Sequence, residues 1–410
     1  MIQCFAASCQ SENGYLIQEC KNGIHNNVFV LITTNVENIY TPHKLLQFSF
    51  LFLFPIWSFI KMKRGRLDNP RIAFYDKLLA HPVVGKVLFE DLATLCGTFR
   101  PEQRLIVRRI VFQSGASASF MPDDIIRCIE DVKQAIFLYD YNVPVCLEFS
   151  GICPAHHVEN LPWFRTPKKY QLVEDKPRKF DREYHREGVA AWLGEFIIDV
   201  DLSEDGDNPY DRRGICDCVK KRKCCDICWK VFLRPAQKVI VHLLKDAGIS
   251  AYFFVYSGRR GFHCWIVDKN VIMWTKEQRK TFIRTWESLH TQDTPYTDDI
   301  LSLLEPTFRE TPVLLKRYKE PLKFKKRAWK KAVFDALYPK FDIPVSEDTT
   351  HNHKMPLMLH PQTHQLCIPM QGDGLDFLPS KNRFLPGDVS FKLLEKGTEP
   401  IQKALEKMNK

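Results

Sequence analysis

Residues 251–267 constrain the fold more than any other stretch of this chain. An apolar run, 251–256, enters the turn Ser257-Gly258-Arg259-Arg260-Gly261, and a second apolar run, 262–267, leaves it. Two β-forming runs joined by a Gly-bracketed turn read as a hairpin, which commits this part of the chain to antiparallel sheet. Its tip is cationic. Arg259 and Arg260 offer planar donor forks that suit phosphate, Ser257 and His263 add short-range donors, and the glycines leave room for a ligand against the backbone. A polyphosphate fits such a tip. A merely solvated basic hairpin would not need Ser, two Gly and His within seven residues.

Upstream lies Glu195-Phe196-Ile197-Ile198-Asp199-Val200-Asp201. The β-forming residues around Asp199 predict a buried strand whose end carries two carboxylates. Side chains two apart on a strand share a face, so Asp199 and Asp201 can reach one divalent ion or a close pair of ions. Taken alone, the motif also fits a strand end running into a solvated acidic turn, since Ser203, Glu204, Asp205, Gly206 and Asp207 follow.

Cysteine carries the next constraint. Fourteen cysteines in a chain without a cleavable signal argue for a reducing compartment, where close spacing means metal more often than disulfides. After the acidic strand come Cys216-Asp217-Cys218, a basic spacer at 219–223, and Cys224-Cys225-Asp226-Ile227-Cys228-Trp229. A C-x-C pair followed by C-x-x-C supplies four thiolates to a tetrahedral zinc, with the basic spacer lowering thiol pKa values. Five cysteines are one too many. Cys216 and Cys218 offer the first pair, and Cys224, Cys225 and Cys228 hold the second with one thiol spare. Closed four-thiolate sites hold folds together and do not catalyse.

The rest of the chain positions these motifs. Residues 45–60 are apolar but number sixteen, with Gln47, two Ser and Pro55, short of the roughly 20 that a spanning helix needs. The lysines and arginines after them would also flank an anchor. Composition changes abruptly near Met62. Helical periodicity runs over 69–95 (Phe74, Leu78, Leu79), over 123–138 (Ile125, Ile126, Ile129, Val132, Ile136) and over 235–248, which stops at Gly248. Residues 154–187 mix Pro, Lys and Arg with Trp163, Phe164 and Tyr170, as a surface connection or a strand-contacting segment would. Residues 277–336 read as helical, and their densest positive charge, 316–331, is either a solvated face or a contact with a polyanion backbone. A formal charge of +10 suits a polyanionic partner without naming one, and 45% hydrophobic content is ample for a core.

The combination of Asp199-Val200-Asp201 with Ser257-Gly258-Arg259-Arg260-Gly261-Phe262-His263-Cys264-Trp265 resembles the small catalytic subunit of the archaeal and eukaryotic DNA primases, over roughly 196–370. The resemblance implies an α+β fold, a mixed and antiparallel-rich sheet flanked by helices, with a zinc knuckle inserted at 214–230, in which Cys225 and Cys228, followed by Trp229, resemble the family's second ligand pair beside Cys216 and Cys218, leaving Cys224 a spare or a substitute. It divides the chain into an appended segment at 1–61, a helical part of the catalytic domain at 62–187 and a catalytic core at 188–410. In the block that contains Phe341, Asp342 and Ile343, Asp342 resembles the third carboxylate of the family, after a short apolar strand. Asp199, Asp201 and Asp342 are then expected to bind two Mg or Mn ions, and Ser257, Arg259, Arg260, His263, Lys354 and His360 the nucleotide, with His351 a weaker candidate. The family's earlier arginine motif has its nearest counterpart at His185-Arg186-Glu187, close to Asp199.

The implied activity is synthesis of short primers from nucleoside triphosphates on a single-stranded DNA template. The alternatives are a polymerase of the same superfamily that extends or repairs ends without starting chains, and a zinc-containing nucleic-acid-binding module without catalysis. Implied partners are a large primase subunit and a replicative polymerase or helicase, with no membrane. The implied location is the nucleus, or a host replication site for a viral member.

Overall fold

The computed structural model describes residues 2–4, 9–10, 15–22, 27–34, 70–93, 95, 106–113, 119–120, 146–154, 194–202, 210–216, 218, 224–318, 326–349 and 351–410. The apolar run 45–60, the expected helix over 123–138, the connection 155–187 with its His185-Arg186-Glu187, the acidic turn 203–207 and the basic spacer 219–223 lie outside them. Among the described residues no helix is long and apolar enough to cross a membrane.

The chain divides into two units, Met1–Ala73 and Phe74–Lys410. The first holds an antiparallel sheet of β1 (Ile2–Cys4), β2 (Cys9–Gln10), β3 (Tyr15–Asn22) and β4 (Asn27–Thr34), in which β3 pairs with each of the other three.

Helix α1 (Pro70–Ala80) buries Phe74, Tyr75, Leu78 and Leu79, as the 3.6-residue period requires. Pro82 closes that helix and starts the next turns, Pro82–Gly85 and Lys86–Leu92. In the second unit, β5 (Ile106–Gln113), β6 (Ser119–Phe120), β7 (Cys146–Pro154) and β11 (His353–Lys354) form one antiparallel sheet in the order β11-β7-β5-β6.

A second sheet, also antiparallel, is the frame of the site: β8 (Phe196–Asp201), β10 (Gly261–Ile266) and β9 (Tyr252–Tyr256), with β10 in the middle. Alternation splits its side chains cleanly. Phe196, Ile198, Val200, Phe254, Tyr256, Phe262, Cys264 and Ile266 point into the main core, where helices cover them. Asp199, Asp201, Gly261 and His263 take the opposite face.

The helices follow in order: α2 (Arg234–Asp246), ended by Gly248 at φ +71; α3 (Lys276–Ser288), with a capping box between Thr275 and Gln278; α4 (Pro295–Glu310); α5 (Pro312–Arg317); α6 (Lys326–Leu337); α7 (Ile343–Glu347); and α8 (Phe391–Met408). The sheet-and-helix architecture is the α+β class expected from the motifs, and the cysteine cluster lies in the chain between β8 and α2.

Within the basic stretch 316–331, Lys330 departs from expectation. Lys330 is 5% exposed, and its ammonium bonds Asp298 at 2.9 Å, Thr297 Oγ1 at 2.5 Å and Asp293 at 3.3 Å. It ties α6 to α4 and offers nothing to an outside polyanion. Arg317 donates to the carbonyls of Asp211 and Arg213, and Lys331 pairs with Asp335 one turn on. Residues 319–325 lie outside the described set. Lys spacing alone does not distinguish a solvated lysine from one clamped by acidic neighbours two helices away.

Candidate active site

Register places the acidic pair. Asp199 on β8 stands opposite His263 on β10, and Asp201 opposite Gly261, so both carboxylates share the face of the His263 imidazole. His263 Nε2 lies 3.8 Å from Asp199 Oδ1. Asp342 arrives from the other edge of β8: its N–H donates to the Asp199 carbonyl at 2.9 Å, and Phe341 makes a single antiparallel bridge with Val200. The expected strand before Asp342 is thus one bridge residue. Asp342 itself caps α7, its Oδ1 accepting from the Val345 N–H at 3.2 Å. Ser346, from the same short helix, accepts the Asp199 N–H on its Oγ at 3.4 Å, a contact no motif announced.

Crowded negative charge marks this corner. Burial, then the charges of Asp201 and Asp342, push the Asp199 carboxyl up to about 8, against the opposing pull of Lys354 and Arg260. Asp201 is also raised by burial, although Arg260 Nε sits 2.9 Å from its Oδ2. Its other oxygen, Oδ1, is buried with no hydrogen-bond partner. Two partly buried carboxylates with an orphaned oxygen fit a hard divalent cation. Yet the three aspartates do not form a closed ligand set. Among the described residues, the one group of potential ligands that converges within 4.8 Å is the cysteine quartet.

Around the carboxylates, the cationic groups come from two sheets. Lys354 sits on β11, opposite Glu148 of β7, and its charge acts on Asp199, Asp201, His263 and His360. Arg260 is engaged by Asp201. Ser257 is buried, with its Oγ accepting the Gly261 N–H at 3.2 Å.

His360 is 7% exposed, and its Nδ1 accepts from the N–H groups of Gln362 (3.1 Å) and Thr363 (3.4 Å). Nε2 therefore carries the ring proton of the neutral imidazole. Burial, reinforced by Lys354, Arg259, His263 and Arg260, takes His360 down to about 2; burial, Lys354 and His351 take His263 down to about 3. Both rings are neutral donors near neutral pH, so Arg259, Arg260 and Lys354 are left as the cations. His351 lies within electrostatic reach of Asp348, Asp342 and Lys354.

The two glycines of the turn serve the fold itself. A Cβ on Gly261 would fall 2.3 Å from the Val200 carbonyl oxygen, and one on Gly258, at φ +78, 2.8 Å from that of Gln365. Gly261 brings β10 against β8, and Gly258 brings the turn against the 360–365 loop, where Thr363 Oγ1 donates to the Gly258 carbonyl at 2.7 Å. The expectation that they clear space for a ligand is replaced by close packing within the chain.

The cysteine cluster resolves the surplus ligand. The Sγ atoms of Cys216, Cys218, Cys225 and Cys228 all lie within 4.8 Å of one another, and Cys224 is not among them. Cys216 is 3.0 Å from Cys218 and 2.9 Å from Cys228. The Cys228 N–H donates to Cys225 Sγ at 3.4 Å, as the first turn of a C-x-x-C helix allows. Burial and the neighbouring thiols hold Cys228 well above the ordinary thiol range, a cost that a bound cation would reverse. Four convergent sulfurs suit a soft, tetrahedral ion.

An acidic pair, two imidazoles and three cations thus gather around one corner of β8. The description "DNA primase small subunit" fits residues 198–371. The chain is 24% identical over 286 residues to the DNA primase small subunit of Saccharomyces cerevisiae, covering 53% of this chain and 67% of that protein. Against the same subunit of Schizosaccharomyces pombe it is 22% identical over 254 residues, covering 46% and 54%. An 86-residue segment is 37% identical to the Caenorhabditis elegans subunit, covering 21% and 19%. The chain thus spans about two thirds of the budding-yeast protein and about half of the fission-yeast one. Over residues 198–371 the chain is similar to the DNA primase small-subunit family.

Proposed function

We propose that this chain is the catalytic subunit of a DNA primase, joining nucleoside triphosphates into short primers on a single-stranded DNA template. The observation that carries the reading is the meeting of Asp199, Asp201 and Asp342 with Arg260, Lys354 and His263 around one corner of β8. The three aspartates would hold two Mg or Mn ions, which supply Lewis-acid activation of the attacking hydroxyl and compensate charge on the leaving pyrophosphate.

The chain's own contribution is position and charge. Arg259, Arg260 and Lys354 grip the triphosphate, Ser257 fixes the turn, and His263 and His360 donate as neutral imidazoles. Because Arg260 already pairs with Asp201, its grip on a phosphate must share or replace that contact. No protein nucleophile is needed, since orientation and electrostatic complementarity carry phosphoryl-type transfer. The cysteine quartet would hold a structural zinc. A large primase subunit and a replicative polymerase or helicase are the partners that such a subunit needs, and the nucleus is where it would work.

The test is incorporation on an unprimed single-stranded template with Mg or Mn and all four nucleotides. Dinucleotides and longer primers support the proposal. Products only from a supplied primer would make the chain an extending polymerase, and template binding without incorporation an inactive binding module.

A further inference from the structure

The cysteine cluster and the cationic turn meet in a polar junction. Cys224, outside the quartet but one peptide from Cys225, donates its N–H to the carbonyl of Arg259 at 3.1 Å. The same carbonyl accepts the Tyr256 hydroxyl at 3.2 Å. Arg383, more than a hundred residues on, donates from Nη2 to the Cys224 carbonyl at 2.6 Å, and its charge acts on the Tyr256 phenol.

Apolar packing reinforces this link. Trp229, which follows Cys228, stands edge-on to Tyr256 of β9 (5.8 Å between centroids) and to Phe262 of β10 (6.2 Å). The cluster therefore touches both strands of the hairpin as well as its tip.

The tip is held at three carbonyls, each by a different part of the chain. Gly258 is held by Thr363, Arg260 by the Leu202 N–H at 3.2 Å, and Arg259 by Cys224 and Tyr256. Only the Arg259 anchor runs through the cysteine cluster. We propose that the metal at Cys216, Cys218, Cys225 and Cys228 sets the position of Arg259, so that nucleotide affinity depends on a cluster that takes no part in the chemistry.

The inference rests on the reading of Arg259 as a triphosphate contact. The physical reason is that Cys224 is bonded directly to Cys225, so a metal held by Cys216, Cys218, Cys225 and Cys228 fixes the backbone from which the Cys224 N–H reaches Arg259. Without that cation the loop carrying Cys224 is no longer fixed, and the Arg259 carbonyl loses a donor. Cys224 and Arg383 are then positioning residues for the nucleotide site.

The experiment uses the full chain with its zinc content measured. ATP with Mg is titrated by equilibrium binding, single-stranded DNA binding and thermal unfolding are recorded in parallel, and R259A serves as the reference. C225S removes one thiol; R383Q keeps all four and cuts the strap to Cys224. Loss of a single hydrogen bond of about 1 kcal/mol corresponds to roughly fivefold.

R383Q is expected to retain zinc and lose about that much ATP affinity, and C225S to lose zinc and at least as much affinity, with DNA affinity nearly unchanged in both. Unchanged ATP affinity in a folded, zinc-free C225S overturns the proposal. Should C225S not fold, R383Q decides alone: normal zinc and normal ATP affinity overturn it equally. If R259A itself leaves ATP affinity unchanged, the triphosphate reading falls and takes this inference with it. If R259A weakens ATP while C225S and R383Q do not, the inference alone falls.

Discussion

The four cysteines and the three aspartates are both sets of metal-type ligands, and they are built in opposite ways. The thiols come from twelve residues of sequence separation, Cys216 to Cys228, and they converge within 4.8 Å. The carboxylates come from 143 residues of separation, Asp199 to Asp342, and each is engaged by a protein group: Asp201 by Arg260, Asp342 by the Val345 N–H, Asp199 at the edge of His263. A neutral thiol loses little by approaching another thiol. A carboxylate approaching a carboxylate meets repulsion that burial strengthens. The thiol cluster can therefore collapse on itself, whereas the carboxylates stay apart, each held by its neighbours.

The largest expected effect breaks the acidic set. Asp199→Ala, Asp201→Ala and Asp342→Ala should each lower nucleotide incorporation by about 10²-fold or more, with the fold intact by circular dichroism. Near-normal incorporation by any one of them would remove that residue from the site.

Breaking the thiol set should act on stability first. Cys228→Ser is expected to abolish zinc retention and to lower stability by several kcal/mol, read from denaturant midpoints with and without added zinc. Full zinc content in that variant would show that the quartet is not the site.

Lys330 supplies a third case, a buried charge that the protein neutralises by itself with Asp293 and Asp298. Lys330→Met should cost about 1–3 kcal/mol by removing the buried ammonium's bonds to Thr297, Asp298 and Asp293, and should not change the salt dependence of DNA binding. Lys331→Ala, at an exposed pair with Asp335, should cost less than about 0.5 kcal/mol. A drop in salt slope for the Lys330 variant would return that residue to the template surface.

A further effect, spread over several pH units, concerns Asp199. Asp199 in the folded protein is pushed up to about 8 from an ordinary 3.8, so the native state holds a proton there that the unfolded chain has already released. Its contribution is fully present below about 4 and is lost as pH rises toward 8, at no more than about 1.4 kcal/mol per pH unit. Metal-free protein should therefore lose stability over this window, and Asp199→Asn should flatten the slope. An unchanged slope in that variant would locate the titration elsewhere.

Sequence alone determined what local pattern can determine. The β-forming residues around Asp199 gave a strand, two apolar runs around Ser257-Gly258-Arg259-Arg260-Gly261 gave a hairpin, Gly248 gave a helix end, and C-x-C with C-x-x-C gave a four-thiol cluster, because each of these depends on neighbours within about a dozen residues.

What only tertiary structure decided involves partners far apart in the chain. It chose Cys225 over Cys224 and gave Cys224 a backbone bond to Arg259. It made Gly258 and Gly261 packing residues, because the carbonyls of Gln365 and Val200 lie where a Cβ would go. It withdrew Lys330 from the surface, and it delivered Asp342 to Asp199 through one backbone bond rather than a strand. Each outcome follows from close packing and the pairing of buried polar groups, whose partners no short stretch of sequence names.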